Sequence, residues 1–330
     1  MNAKAKGYLL GSIAAATYGM NPLFALPLYS DGMDPNSVLF FRYAFAIPIL
    51  ALMLRLRGRS FKMNVRKELP AYIILGLLLA MSSLTLFLSY NYMAAGIATT
   101  ILFVYPLMVA IIMALVYKEK ITLQTAFCIF VAIAGISLLY KSDDGTTLSV
   151  AGTIFVLLSA LSYAIYIVGI NYKGIKDLST IKVTFYIISA GFFVFLIPAL
   201  VKGHVSTPDK WYLWFNLLAL AILPTVVSFV CTTVAIHDIG STPVAILGAL
   251  EPVTAVFFGV LLFNETLSFR EVIGLLLIIG AVTVVIMGTS VTHFLVRIRK
   301  MLPRLNKKNI DKHEISHHFV VSVGMGFIVV

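Results

Sequence analysis

Residues 94–140 read AAGIATTILFVYPLMVAIIMALVYKEKITLQTAFCIFVAIAGISLLY, and residues 240–286 read GSTPVAILGALEPVTAVFFGVLLFNETLSFREVIGLLLIIGAVTVVI. The two stretches align without a gap at an offset of 146. Tyr105-Pro106 falls on Glu251-Pro252, and Lys118-Glu119-Lys120-Ile121-Thr122 falls on Asn264-Glu265-Thr266-Leu267-Ser268. A proline and a glutamate thirteen residues apart therefore recur in each half, inside otherwise apolar sequence. Many membrane carriers are built from a duplicated, apolar, proline-interrupted unit of this kind.

The composition places the whole chain in lipid. Of 330 residues, 60% are hydrophobic and 12% charged, with a mean hydropathy of +0.98. A water-soluble domain is about half apolar and about one quarter charged. The apolar runs are about 20 residues long, the helical length that crosses a bilayer core. A formal charge of +11 fits basic loops on one side of a membrane, and no nucleic-acid-binding motif accompanies it. Cys128 and Cys231 lie inside apolar runs, where they read as free thiols packed between helices and not as a disulfide framework. Nothing in the sequence calls for a cofactor.

The expected fold is an all-α, polytopic membrane protein of about ten transmembrane helices. The spans are expected over 7–29, 37–56, 70–92, 95–117, 121–140, 149–171, 181–201, 211–235, 240–263 and 269–290, with Pro70 as the first helical residue of the third. The first run is too long for a cleaved leader and lacks a clear small-residue cleavage site. With the N-terminus inside, 20 of the 25 Lys and Arg residues fall on the inner side; Lys141, Lys202, Lys210 and Arg270 fall outside, and Arg42 lies within a span. That asymmetry is the positive-inside pattern, and it puts both termini in the cytoplasm of a plasma-membrane protein. Five spans per half is an odd number, so the halves enter the bilayer from opposite sides as an inverted repeat. Tyr18 and Tyr163 match at an offset of 145, and Pro48 and Pro198 lie near the ends of corresponding spans. The expected division is 1–143 and 144–290 for the two repeats, with 291–330 as a basic tail that ends apolar.

The markers in the second half, Ala249-Leu250-Glu251-Pro252, Asn264-Glu265-Thr266-Leu267 and the stretch from Gly274 to Gly280, resemble the EamA type of the drug/metabolite transporter superfamily. The first half carries Tyr105-Pro106 and Lys118-Glu119-Lys120 at the same places, and neither half has Gly before the Glu. The resemblance covers residues 7–290. It implies two five-helix repeats and the transport, often outward, of amino acids, sugars, nucleotide-linked metabolites or drugs.

Charge within a membrane is costly, so each case is a candidate for function. Glu251 lies about 12 Å along the helix from Pro243, near mid-bilayer. Pro252 after it is expected to leave a carbonyl near residue 248 free, so that carboxylate and carbonyl together receive a cation, a proton or a substrate amine. The bland reading is a buried, hydrogen-bonded Glu. Arg42 either snorkels to the headgroups, meets a substrate carboxylate, or pairs with Glu251. Tyr18, Asn21, Tyr105, Tyr163 and Ser228 are expected to touch the substrate, with Glu251 also coupling protons. Thr225 and Thr232, Ser82 and Ser83, and Tyr90, Asn91, Tyr166 and Asn171 are further polar residues near breaks or mid-span; buried Ser and Thr usually bond their own helix. Glu119 and Glu265, at helix junctions, read as caps of the helix that follows each. Ala134, Gly135, Gly274, Gly280 and Ala281 suit close packing, as scaffold or as the face of a homodimer.

His313-Glu314-Ile315-Ser316-His317 matches H-E-x-x-H, a zinc-protease spacing, but it follows a basic run in the tail with no third ligand beyond His318. The expected function is a carrier of a small organic metabolite, zwitterionic or uncharged and of amino-acid size, working by alternating access. A sugar or nucleotide-sugar carrier would need several convergent cations, and a membrane-embedded metalloenzyme would rest on the tail motif alone.

Overall fold

The computed structural model describes residues 3–301 except 119–122, 140–148, 171–178, 240–243, 245–246 and 266. Glu119, Asn171 and the His313–His317 motif lie outside the described residues. Among the described residues all regular structure is helical. Lipid offers no hydrogen-bond partners, so a spanning chain must satisfy its backbone internally, and a helix does this within one segment.

Eight helical segments are long and apolar enough to cross a membrane, and Leu123–Leu139 and Leu250–Phe263 are shorter apolar helices. In chain order the first repeat comprises α1 (Ala3–Gly19) with α2 (Asn21–Ser30), α3 (Pro35–Leu56), α4 (Val65–Ser89), α5 (Ala95–Leu102) with α6 (Tyr105–Tyr117), and α7 (Leu123–Leu139). The second comprises α8 (Val150–Ile170), α9 (Thr180–Lys202), α10 (Leu213–Ala221) continuing through a π-helix (Ile222–Val227) into α11 (Ser228–Ile239), then α12 (Leu250–Phe263) and α13 (Phe269–Met301). The compact helical unit ends at Thr289. Leu123 is 88% exposed and Val201 82% exposed, the inside-out surface of a chain solvated by lipid.

Spans expected to be continuous are broken. The first breaks at Met20, because Pro22 has no N–H for the Tyr18 carbonyl; the Asn21 side-chain amide donates to that carbonyl at 2.9 Å instead. The fourth breaks at Phe103–Val104, ahead of Pro106 in the first turn of α6. In the ninth, Gly248 and Ala249 form a turn before α12. There the carbonyl expected to be free is occupied: Glu251 N–H donates to the Gly248 oxygen at 2.9 Å. Pro252 stands in the first turn of α12, where a missing N–H leaves nothing unmade. Pro70 is likewise not the first helical residue. α4 begins five residues earlier, at Val65.

The repeat extends to backbone geometry. Lys118 (φ 55°) and Asn264 (φ 53°) are both left-handed caps, donating to Met113 and Gly259 respectively. That conformation costs an L-residue about 1–2 kcal/mol and is the usual place for Gly. The repeats interlock with matching pairs. α1 packs on α11 as α8 packs on α4; α6 packs on α8 as α12 packs on α1; α5 meets α12, and α3 meets α9. α7 and α13 approach through Gly135 and Gly274, where a β-carbon on either would lie within 3 Å of the other's carbonyl oxygen, so this pair of small residues serves packing inside one chain.

Glu265 does not cap the helix after it. Its Oε1 accepts from Ala95 N–H at 3.0 Å, and Gly96 N–H is a second partner, so it holds the start of α5 in the other repeat. Burial pushes its carboxyl up while those two amides pull it down. α13 has its own reciprocal cap: Ser268 N–H donates to Glu271 at 2.7 Å, and Glu271 N–H donates to Ser268 Oγ at 3.3 Å, a capping box.

Candidate functional site

α3 carries Arg42 into the bundle. The residue is 5% exposed, so the snorkelling expectation is wrong: its guanidinium turns inward. Its Nε donates to Thr225 Oγ1 at 3.0 Å, and its Cζ lies 5.5 Å from the centroid of the Phe87 ring on α4. Among the described residues it makes no other hydrogen bond and no ion pair. A charged hydrogen bond contributes about 1.5–3 kcal/mol and a desolvated cation–π contact about 2 kcal/mol. Burying the cation costs several kcal/mol, so the two contacts at best offset that cost.

Thr225 owes its position to the π-helix. Pro224 removes the N–H that would meet the Leu220 carbonyl, and the Thr225 hydroxyl donates to that carbonyl at 3.0 Å. This is the device seen at Asn21 and Pro22: the residue beside the proline supplies the missing donor.

Glu251 enters from the first turn of α12. Among the described residues its carboxylate has no hydrogen bond and no ion pair. Arg42 does not pair with it. Tyr18 lies in the electrostatic reach of both groups, and Tyr105 and Tyr163 lie in that of Glu251. The rings of Tyr105 and Tyr163 meet edge to face at 4.7 Å, and Tyr166 stacks on Tyr163 at 5.7 Å. Tyr105 comes from α6 and Tyr163 from α8, so this ring contact joins the two repeats. Gly19, next to Tyr18, lets α1 approach α12 closely: a β-carbon there would fall against the Glu251 carbonyl.

Five of the seven expected residues are thus Tyr18 and Glu251 themselves and the groups in their electrostatic reach, Arg42, Tyr105 and Tyr163. Two have other occupations. Asn21 is 2% exposed and bonds its own break, with its Oδ1 buried and without a partner among the described residues. Ser228 donates to the Ala14 carbonyl at 3.0 Å and fastens α11 to α1. Ser82 and Ser159 bond each other at 3.1 Å, joining α4 to α8, and Ser83 meets the Tyr43 hydroxyl at 3.0 Å. A groove between α6 and α8, lined by Met108, Ile111, Leu115 and Leu158 among others, carries no polar side chain among the described residues.

The model of the EamA-like transporter family matches residues 5–141 and 150–287. The chain belongs to the EamA-like transporter family. Similar relatives of this EamA-like transporter include the uncharacterized transporter YcbK of Bacillus subtilis, 24% identical over 283 residues with 82% of this chain and 89% of the relative covered. An uncharacterized transporter of Archaeoglobus fulgidus is 28% identical over 260 residues, covering 77% and 87%. A solved crystal structure has the same fold, with a TM-score of 0.62 at 17% identity over 91% of this chain and 100% of that one. The protein is therefore a multi-pass membrane transporter of EamA type, embedded in the lipid bilayer.

Three parts of this transporter's cluster stand out less in the sequence than in the fold. Phe87 looked like one more apolar residue in α4. Thr225 was one of several hydroxyls near a proline, and the signal was available: a Thr directly after Pro224 is placed to mend the bond that the proline breaks. Gly19 carried no signal apart from its place beside Tyr18.

Proposed function

We propose that this transporter moves a zwitterionic solute of amino-acid size, with Arg42 receiving the carboxylate and Glu251 the ammonium group. One observation carries the reading: an arginine and a glutamate stand inside the bundle, each without an ionic partner among the described residues, with Tyr18 in electrostatic reach of both. Intramembrane charge left uncompensated by protein is the mark of a substrate or ion path. Tyr18, Tyr105 and Tyr163 wall the site. Asn21 and Ser228 act behind it, by holding the break in the first span and the seat of α11. A nucleotide sugar would call for several convergent cations, whereas Arg42 is the sole cation of this cluster among the described residues.

Alternating access follows from the breaks. Residues 1–143 and 144–290 rock about the interruptions at Met20, at Phe103–Val104 and at Gly248–Ala249 and about the π-helix, opening the site to each side in turn. The protein sits in the plasma membrane with both termini and the 291–330 tail in the cytoplasm, and net movement is outward, without nucleic acid or a protein cofactor. Glu251 couples this movement to protons. Flux of the twenty amino acids into proteoliposomes tests the reading: at least one saturates, and Glu251→Gln abolishes the pH dependence of its rate. If Glu251→Gln leaves both rate and pH dependence unchanged, the coupling role is wrong; if no amino acid moves, the substrate class is wrong.

A further inference from the structure

We infer that Thr225 is a positioning residue that presents Arg42 end-on to a single carboxylate. The inference rests on the proposal that Arg42 meets the solute's carboxylate. A threonine hydroxyl has one proton and two lone pairs. Here the proton is committed to the Leu220 carbonyl, which Pro224 leaves without its helical donor. The lone pairs are therefore fixed in direction, and one of them receives Arg42 Nε. That bond removes one of the two edges by which a guanidinium grips a carboxylate, the edge formed by Nε and one Nη. The guanidinium carbon lies over the Phe87 ring, 5.5 Å from its centroid. What remains is the terminal fork of the two Nη nitrogens, which pairs with a carboxylate through two parallel hydrogen bonds.

The chain of cause runs from a proline to a recognition rule. Pro224 frees a carbonyl, the carbonyl orients the Thr225 hydroxyl, the hydroxyl occupies Nε, and the fork selects a planar anion. A carboxamide of the same shape lacks the charge and offers one acceptor where the fork needs two, so the site distinguishes an amino acid from its amide.

The test measures equilibrium binding of the twenty amino acids and their carboxamides to the full chain in lipid nanodiscs, alongside the melting midpoint of each unliganded variant. The wild type binds its preferred acid at least about tenfold tighter than the amide. Thr225→Val removes both hydrogen bonds and collapses that preference by about tenfold, while Thr225→Ser, which keeps the hydroxyl, restores it. Where Thr225→Val does not fold, Thr225→Cys keeps the volume with a weak acceptor and is expected to lose the preference in part. A purely structural Thr225 would lower the melting midpoint and leave the acid-to-amide ratio where it was. If Thr225→Val retains the wild-type ratio, the positioning role is wrong and the Arg42–carboxylate reading stands. If the wild type itself does not separate acids from amides, or binds neither, the Arg42 reading fails and the role of Thr225 fails with it.

Discussion

At Gly19 the backbone of α1 lies so close to α12 that an added β-carbon would come within 2.8 Å of Thr254 Cβ as well as against the Glu251 carbonyl. The contact involves backbone, which has little room to yield. Gly19→Ala is expected to cost about 1–3 kcal/mol as overpacking and, by wedging the helices apart, to take Tyr18 away from Glu251. Gly280 is the control. It sits inside α13 with nothing among the described residues within 4 Å of its notional β-carbon, so Gly280→Ala is expected to stabilise the protein by up to about 1 kcal/mol through helix propensity. Thermal unfolding of the two purified variants checks the pair: the melting midpoint falls for Gly19→Ala and rises for Gly280→Ala. Equal shifts of one sign would mean that local helix propensity, and not the α1–α12 approach, sets the effect at both positions.

Among the elements, Glu265 decides how the repeats are joined at the end of the bundle where α5 starts and α12 stops. Its carboxylate accepts from Ala95 and Gly96, while Ser268 and Glu271 look after α13. Glu265→Ala leaves two buried amides at the head of α5 unpaired, a loss of about 1–2 kcal/mol. Hydrogen exchange read by mass spectrometry locates the loss: protection falls at residues 95–99 and holds at 269–273. Ser268→Ala is expected to do the reverse. Faster exchange at 269–273 in Glu265→Ala would show that the carboxylate serves the following helix after all. The same elements show what the sequence made legible. Span number and apolar length could be read because lipid imposes both, and Arg42 and Glu251 stood out because a charge in an apolar run is rare. The partner of Glu265 could not be read. It lies 170 residues away, and a junction Glu looks the same whichever helix it caps. The breaks were half legible: each proline was visible, but whether the chain kinks, turns or widens into a π-helix depends on which neighbour supplies the missing donor, Asn21 beside Pro22 and Thr225 beside Pro224.

For the molecule as a whole, the matching helix pairs (α1 with α11 as α8 with α4, and α3 with its own counterpart α9) are what two copies of one unit produce when inserted in opposed directions. An odd number of crossings per repeat makes that opposition unavoidable, and it fixes which loops share a face. Two crossings, α4 and the α5–α6 pair, separate Arg59 from Lys118, so these residues share one side. Three crossings, α7, α8 and α9, separate Lys118 from Lys210, so these face opposite sides. All three residues are exposed, which makes them suitable labelling points. The protein's own thiols, Cys128 and Cys231, are first replaced by serine, and single cysteines are then placed at Arg59, Lys118 and Lys210. A membrane-impermeant maleimide applied to intact cells is expected to label Lys210→Cys at once, and Arg59→Cys and Lys118→Cys only after the cells are opened. Labelling with the two sides exchanged would overturn the cytoplasmic placement of the termini and leave the inverted repeat intact. Labelling of Lys118→Cys and Lys210→Cys from the same side would mean an even number of crossings between them. The two halves would then no longer be opposed, and a substrate site shared between them would lose its physical basis.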